Sequence, residues 1–228
     1  MNQLGAVSLS AKFKLFRLLF LIILFPLVRK IRGKENLPKD KAFIVASNHA
    51  SIIDGLLLNT YLTRPLKRYI HFLTTIRHYD NPLNRFLMGT AKSIKIRARE
   101  VGKASSLALE YLKRGEILGV FPEGTRSPDG KIRKGMNGVA TLALSARVPV
   151  VPVGLINTHK ILPKGKFFLR YARCEINIGK ALEFDQYYKD YDEAVKQNQR
   201  LKIVEIEQKV VRLIMQEIAS LSNQKYPY

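Results

Sequence analysis

The chain has 228 residues, 46% of them apolar, and sets 39 lysines and arginines against 18 acids for a formal net charge of +21. That length allows one substantial domain and is short for two, and the apolar content excludes an intrinsically disordered chain. The lone Cys174 excludes an internal disulfide and a multi-cysteine zinc site.

The positive charge is unevenly spread. No acid precedes Glu35, none lies from Asn81 to Arg99, and none from Gly130 to Cys174, whereas acids gather from Glu183 onwards. Such a surface favours phosphate-bearing partners: anionic membrane lipid, coenzyme A, an acidic carrier protein or nucleic acid. Charge alone does not choose among them.

Residues 18–28 form an uninterrupted apolar run, preceded by Lys12, Lys14 and Arg17 and followed by Arg29, Lys30, Arg32 and Lys34. As a helix this run covers roughly 16 Å, against a hydrocarbon core of about 30 Å. It is too short to span a bilayer, and Pro26 weakens a straight crossing further. No small-residue cleavage pattern follows Val28, so a removable leader is disfavoured. Length alone also fits a buried core helix. The seven flanking cations favour a monotopic anchor over residues 1–34, lying on the cytoplasmic face of a membrane and meeting anionic headgroups, with residues 35–228 as the domain proper.

Beyond the anchor, apolar runs of strand length at 42–47, 69–74, 117–121, 148–155 and 168–178 alternate with helix-like stretches at 52–62, 82–89, 101–113 and 136–147. That alternation predicts a single α/β domain whose central, largely buried mixed sheet is flanked by helices. The tail from about residue 192 to 221 has the spacing of one amphipathic helix packed on the domain.

Chemistry concentrates in two strings. The first is Asn48-His49-Ala50-Ser51-Ile52-Ile53-Asp54, placed between a strand and a helix, where α/β folds expose functional groups. A neutral imidazole takes a proton from a hydroxyl near pH 7, and a carboxylate on its second nitrogen fixes its tautomer. His49 is thus the candidate base and Asp54 its orienter. Ser51-x-x-Asp54 also reads as a capping box, a purely structural use of Asp54.

The second string, Phe121-Pro122-Glu123-Gly124-Thr125-Arg126-Ser127, is a turn after a strand. Arg126 offers a planar fork of donors suited to phosphate. Lys131, Arg133 and Lys134 follow, ahead of a helix expected to begin near Met136, whose N-terminus would itself attract an anion. The glycine spacing from Gly124 to Gly130-Lys131 does not make a P-loop, and Ile132 stands where its Ser/Thr belongs. No G-x-S-x-G elbow occurs, Cys174 lies in an expected strand, and His71, His78 and His159 lack metal-ligand spacing. With no activated protein nucleophile, the substrate's own hydroxyl is expected to attack.

With both strings in view, the chain resembles the 1-acyl-sn-glycerol-3-phosphate acyltransferase family of glycerolipid acyltransferases, from about Gly33 to Phe184. The family's N-H-x4-D block is Asn48 to Asp54, and its F-P-E-G-T-R-S block is Phe121 to Ser127 without a departure. Its V-P-V run is met by Val148 to Val153. Its second block is looser: Gly89 and Ile94-Lys95-Ile96-Arg97 fit, but Ile96 stands where a polar residue is common and Thr75 where a lysine often precedes. The resemblance implies transfer of a fatty acyl group from a thioester, on coenzyme A or acyl carrier protein as co-substrate and with no cofactor, to the sn-2 hydroxyl of lysophosphatidic acid. It implies His49 as general base beside Asp54, and an acceptor site shaped by Arg97, Glu123, Gly124, Thr125 and Arg126. Lys134 is added here from its position, as a further phosphate ligand.

Two other readings compete. One is a relative that acylates another lyso-lipid or an amino-acid-derived lipid, for which Thr75 and Ile96 are the places to look. The other is a non-catalytic basic protein bound to membrane or nucleic acid, supported by the interleaved bases and aromatics of Lys67-Arg68-Tyr69-Ile70-His71-Phe72. That reading gives no role to His49, Glu123 or Arg126, so nucleic acid is not an expected partner.

Overall fold

Short apolar runs joined by amphipathic helices bury themselves best as a mainly parallel sheet covered on both faces. The computed structural model, which describes residues 9–75, 80, 82–96, 101–166 and 168–228, has that arrangement. Its strands are β1 (Val28–Arg32), β2 (Phe43–Ser47), β3 (Ile70–Thr75), β4 (Ile94–Ile96), β5 (Ile117–Val120), β6 (Val150–Ile156) and β7 (Cys174–Ile178). They form one seven-stranded sheet in the order β1-β7-β6-β2-β5-β3-β4. The strands from β6 to β4 in that order run parallel, β7 runs antiparallel to β6, and β1 follows β7. The sheet is therefore mixed, as expected.

The helices are α1 (Ala11–Leu24), α2 (Asp54–Leu66), α3 (Pro82–Thr90), α4 (Val101–Lys113), α5 (Gly138–Ala146), α6 (Thr158–Ile161), α7 (Asp185–Lys196) and α8 (Arg200–Leu221). Alternation along β2 divides the core. Ile44 and Ala46 face a cluster with α4, α5 and α8, while Phe43 and Val45 face α2 and the end of α1. All five residues of β2 are buried, which suits a strand with neighbours on both edges and layers on both faces.

The N-terminal apolar run behaves differently from a free anchor. Ser10 caps α1 by accepting the Phe13 N–H at 3.2 Å, so the helix starts ahead of the run at Ala11. Phe13, Phe16 and Leu24 are buried, with Phe13 against Tyr69 at a 4.7 Å centroid separation. Each such side chain contributes about 1.5–3 kcal/mol of burial. Leu15, Leu18, Leu19 and Ile22 point outward and are 53–69% exposed. The core-helix reading thus describes one side of α1, and an outward apolar row occupies the other. Among the described residues no helix is long and apolar enough to cross a membrane.

Pro26 then turns the chain, and Val28 enters β1 beside Cys174. The cations expected to flank an anchor are partly spent inside the domain. The Arg32 guanidinium donates to Glu175 at 2.8 Å and to Asn177 at 2.9 Å, because β1 lies beside β7 with Asn177 opposite Arg32 and Glu175 opposite Lys30. Residues 28–32 are part of the sheet, so the boundary expected at residue 34 falls within continuous structure.

Two further expectations change. The strand expected over 168–178 pairs only from Cys174, since β6 ends at Ile156 opposite Glu175 and offers nothing further to bond. The tail is two helices rather than one. Asn198 adopts a left-handed φ of 52° between α7 and α8, a break that a sequence without local Gly or Pro conceals.

Candidate active site

Because β2 and β5 are adjacent and parallel, the loops after them emerge side by side at one edge of the sheet. That single pairing brings the two strings together. The His49 loop is fixed on its other flank by Asn48, whose side chain donates to the Leu155 carbonyl at 2.9 Å and accepts the Leu155 N–H at 2.7 Å. It acts as one more rung of the β2–β6 ladder where β2 has ended.

His49 Nδ1 lies 2.8 Å from Asp54 Oδ2. The same oxygen accepts the N–H groups of Ala50 and Ser51, each at 2.8 Å. Asp54 is fully buried at the first position of α2. It accepts the Ser51 N–H as a capping box would have it, but the N-cap of α2 is Ile53 without a side-chain cap and the Ser51 hydroxyl turns to Leu162, so the expected box is not closed. With Nδ1–H donated to Asp54, Nε2 is left as the acceptor. The imidazole is 19% exposed and stacks on Phe121 with centroids 3.9 Å apart and planes 11° apart. Phe121 in turn stacks on Phe72 at 5.3 Å. Phe72 needs the bare backbone of Gly119, where an added Cβ would fall 2.4 Å from its ring.

Glu123 is nearly buried and commits both oxygens to backbone. One accepts the His49 N–H at 2.9 Å and the other the Arg133 N–H at 3.2 Å. It ties the loop of the base to the basic loop, while Gly124 and Thr125 beside it are exposed. Gly124 has a φ of 69°, a conformation that favours glycine. The Arg126 guanidinium makes no hydrogen bond or ion pair with the described residues, and only the Arg126 carbonyl is used, by Lys164 Nζ at 3.0 Å. Arg133 and Lys134 are exposed. Arg97 lies outside the described residues.

Burial pushes the Glu123 carboxyl up to about 7, against the two backbone N–H donors that favour its ionised form. With a folded pKa above the ordinary 4.5, the folded state binds the extra proton between those values, and stability falls as pH rises through that window. Glu123→Gln is therefore expected to remove that slope, adding a constant offset from the amide facing an N–H donor. Denaturant midpoints measured across the pH range check it; parallel curves for the two proteins would refute it.

The expected anion site at the next helix is displaced. Met136 is not helical and donates its N–H to the Pro122 carbonyl at 2.9 Å. α5 begins at Gly138, where Glu207 already bonds Asn137 and Thr141, so a carboxylate of the chain occupies that neighbourhood. What holds the basic loop is also invisible to sequence patterns. Gln224 accepts the Ile132 N–H at 2.8 Å and donates to the Gly130 carbonyl at 3.2 Å, and Tyr226 accepts the Gly135 N–H at 3.1 Å. These contacts join residues too distant in sequence for any spacing rule to find.

Among the described residues, no other side chain nearby is poised as a nucleophile. The Cys174 thiol is buried and pushed up to about 12, and the Ser51 hydroxyl donates to the Leu162 carbonyl at 2.7 Å. The stretch at Tyr69 to Phe72 is internal: Tyr69, His71 and Phe72 are buried, and His71 Nδ1 meets the Lys92 carbonyl at 2.8 Å. Those rings are not available for stacking on bases.

A base steadied by a buried carboxylate, beside an exposed basic loop, can activate a hydroxyl brought to it by a substrate. A family model described as Acyltransferase matches residues 28–156, and the chain belongs to that family. It is 34% identical over 157 residues to a 1-acyl-sn-glycerol-3-phosphate acyltransferase of Chlamydomonas reinhardtii, covering 67% of this chain and 46% of that protein. Against the Bacillus subtilis 1-acyl-sn-glycerol-3-phosphate acyltransferase it is 28% identical over 142 residues, 61% of this chain and 70% of the relative. The crystal structure of the 1-acyl-sn-glycerophosphate (LPA) acyltransferase PlsC of Thermotoga maritima superposes with a TM-score of 0.66 at 27% identity, covering 86% of this chain and 77% of that one. The chain spans less than half the length of the plant and algal relatives it matches.

Proposed function

We propose that this protein transfers a fatty acyl group from a thioester, acyl-CoA or acyl carrier protein, to the sn-2 hydroxyl of lysophosphatidic acid, giving phosphatidic acid. The observation that carries the proposal is the His49–Asp54 pair set beside the turn bearing Arg126. Relatives and a structural neighbour named for this activity support it.

In this reading His49 Nε2 takes the proton of the acceptor hydroxyl as its oxygen attacks the thioester carbonyl. Collapse of the tetrahedral intermediate breaks the carbon–sulfur bond, and the imidazolium returns the proton to the departing thiolate. Asp54 stabilises the imidazolium and holds its tautomer. Gly124, Thr125 and Arg126 receive the acceptor's phosphate with Arg97, and Lys134 adds longer-range charge. Glu123 serves the same site from beneath by holding the loops of His49 and Arg133 together.

Arg126→Ala removes a charge-assisted contact worth about 1.5–3 kcal/mol, so acceptor use is expected to fall roughly 10- to 100-fold. The loss should appear mainly as a raised acceptor KM, with Lys134→Ala weaker in the same sense. The measurement uses purified protein in detergent, an acyl-CoA or acyl carrier protein donor and a panel of lyso-lipids, with products read by mass. A raised donor KM instead assigns these cations to the coenzyme A or carrier side. Failure to acylate any lyso-lipid of the panel refutes the proposal.

A further inference from the structure

Residues 168–173 are the surface segment that packing explains least. Phe168, Leu169 and Tyr171 are 86%, 50% and 75% exposed. Exposed cations surround them at Lys164, Lys166, Arg170 and Arg173. The root of the segment is nonetheless firmly held. The Arg170 N–H donates to the Ile161 carbonyl at 2.8 Å, the neighbouring Leu162 carbonyl takes the Ser51 hydroxyl, and Cys174 at its far end is fully buried in β7. Apolar tips are thus carried outward on a fixed base, at a cost in hydration that a protein surface seldom bears without a partner.

The topology fixes where these tips point relative to the site. β7 runs antiparallel to β6, so its start lies at the edge where β6 and β2 end and His49 emerges. β1 runs parallel to β7 with Val28 opposite Cys174. The end of α1, with Ile22 and Phe25 66% and 72% exposed, therefore reaches the same edge. Two apolar surfaces from distant parts of the chain border the mouth of one site.

We propose that residues 168–173 are a second bilayer-contact element, which together with the outward row of α1 seats the His49 edge of the sheet on an anionic membrane interface. The inference deepens the acyl-transfer reading, since it says how a bilayer-borne acceptor reaches the base. Aromatic and aliphatic tips interleaved with cations are the composition that partitions into headgroups, ring inward and charge outward. An acidic protein would answer the cations but leave Phe168 without a partner. The same segment of a second copy would set cations against cations, because no acid lies from Gly130 to Cys174.

The chain contains no tryptophan, so one placed at the tip reports alone. The Phe168→Trp variant of the full-length protein is mixed with vesicles of phosphatidylcholine and phosphatidylglycerol carrying brominated acyl chains. Leu201→Trp is the control, at an 88% exposed position near the start of α8, whose other end packs on Gly154 of β6. Emission of the Phe168→Trp variant is expected to shift to the blue and to be mostly quenched, while that of the Leu201→Trp control does neither. Replacing Phe168, Leu169 and Tyr171 together by serine is expected to weaken vesicle binding at least about tenfold. Equal responses from the two variants, or none from Phe168→Trp, overturn the proposal. So does a shift in Phe168→Trp produced by purified acyl carrier protein and not by vesicles, which makes the patch a dock for the donor. Turnover of a monomeric short-chain acceptor, followed in the same samples, separates the two readings. Turnover without lipid contact refutes this inference alone, and lipid contact without turnover refutes acyl transfer alone.

Discussion

Replacing His49 with alanine is expected to slow acyl transfer by at least about 10²-fold, the lower range for loss of a general base. The fall should be in kcat as well as kcat/KM, because a general base acts on the proton in flight rather than on ground-state binding. The fold should survive. The ring is partly exposed at the end of β2, and its main packing partner is the face of Phe121, a stack worth about 0.5–1.5 kcal/mol. The backbone of residue 49 keeps its bonds to Glu123 and Ser127 whatever the side chain. Single-turnover measurement with labelled acyl donor, alongside a thermal melt, checks both halves. Wild-type turnover in a folded alanine variant would remove His49 from the mechanism.

Asp54 calls for two substitutions, because one oxygen does three jobs. Asp54→Ala strands the buried N–H groups of Ala50 and Ser51 as well as the His49 ring. At about 1–3 kcal/mol for each unsatisfied buried group, the two N–H groups alone account for a large part of a domain's usual ~5–15 kcal/mol. Loss of activity there would say little about chemistry. Asp54→Asn is the discriminating variant. Its amide oxygen can take the place of Oδ2 and keep all three donors, while its NH2 replaces the buried, unpartnered Oδ1 and leaves a buried donor group unsatisfied at about 1–3 kcal/mol. The fold should hold, but a neutral partner no longer supports the imidazolium, and turnover should fall about 10- to 100-fold from that difference in hydrogen-bond strength. A cooperative melt above that of Asp54→Ala with that loss identifies an orienting carboxylate; unchanged turnover would leave Asp54 a structural role only.

Features with a local cause could be read in advance. The apolar run ending at Ser47 and the helix-like stretch from Ile52 placed His49 at a strand–helix junction, and α4 falls on the same residues as its periodicity predicted. The pairing of the two strings needed only β2 and β5 to be neighbours. Features with distant causes could not be read. β1 was hidden because Val28, Arg29 and Lys30 look like a membrane flank until Glu175 is placed opposite. Glu123 looked like a substrate ligand, since no sequence rule reveals that both its oxygens would be taken by backbone. The half-buried character of α1 depends on Tyr69, far along the chain, and residues 168–173 looked like strand because nothing local says that β6 stops short of them.

The clamp on the basic loop also has a meaning in time. The His49–Asp54 pair is assembled from residues five apart, whereas Ile132 is secured by Gln224, 92 residues later. At roughly 5–20 residues per second of synthesis, a growing chain spends about 5 to 20 seconds between making the loop and making the residue that holds it. During that interval β2, β5 and the His49–Asp54 stretch are already made, but the loop with Lys131, Arg133 and Lys134 lacks its contacts to Gln224 and Tyr226. The His49–Asp54 pair can thus form, and Asn48 can find Leu155, before the basic loop is secured on that side. A ribosome stalled within the codons for α8 would carry a chain whose His49–Asp54 pair is already made while its basic loop still lacks Gln224 and Tyr226.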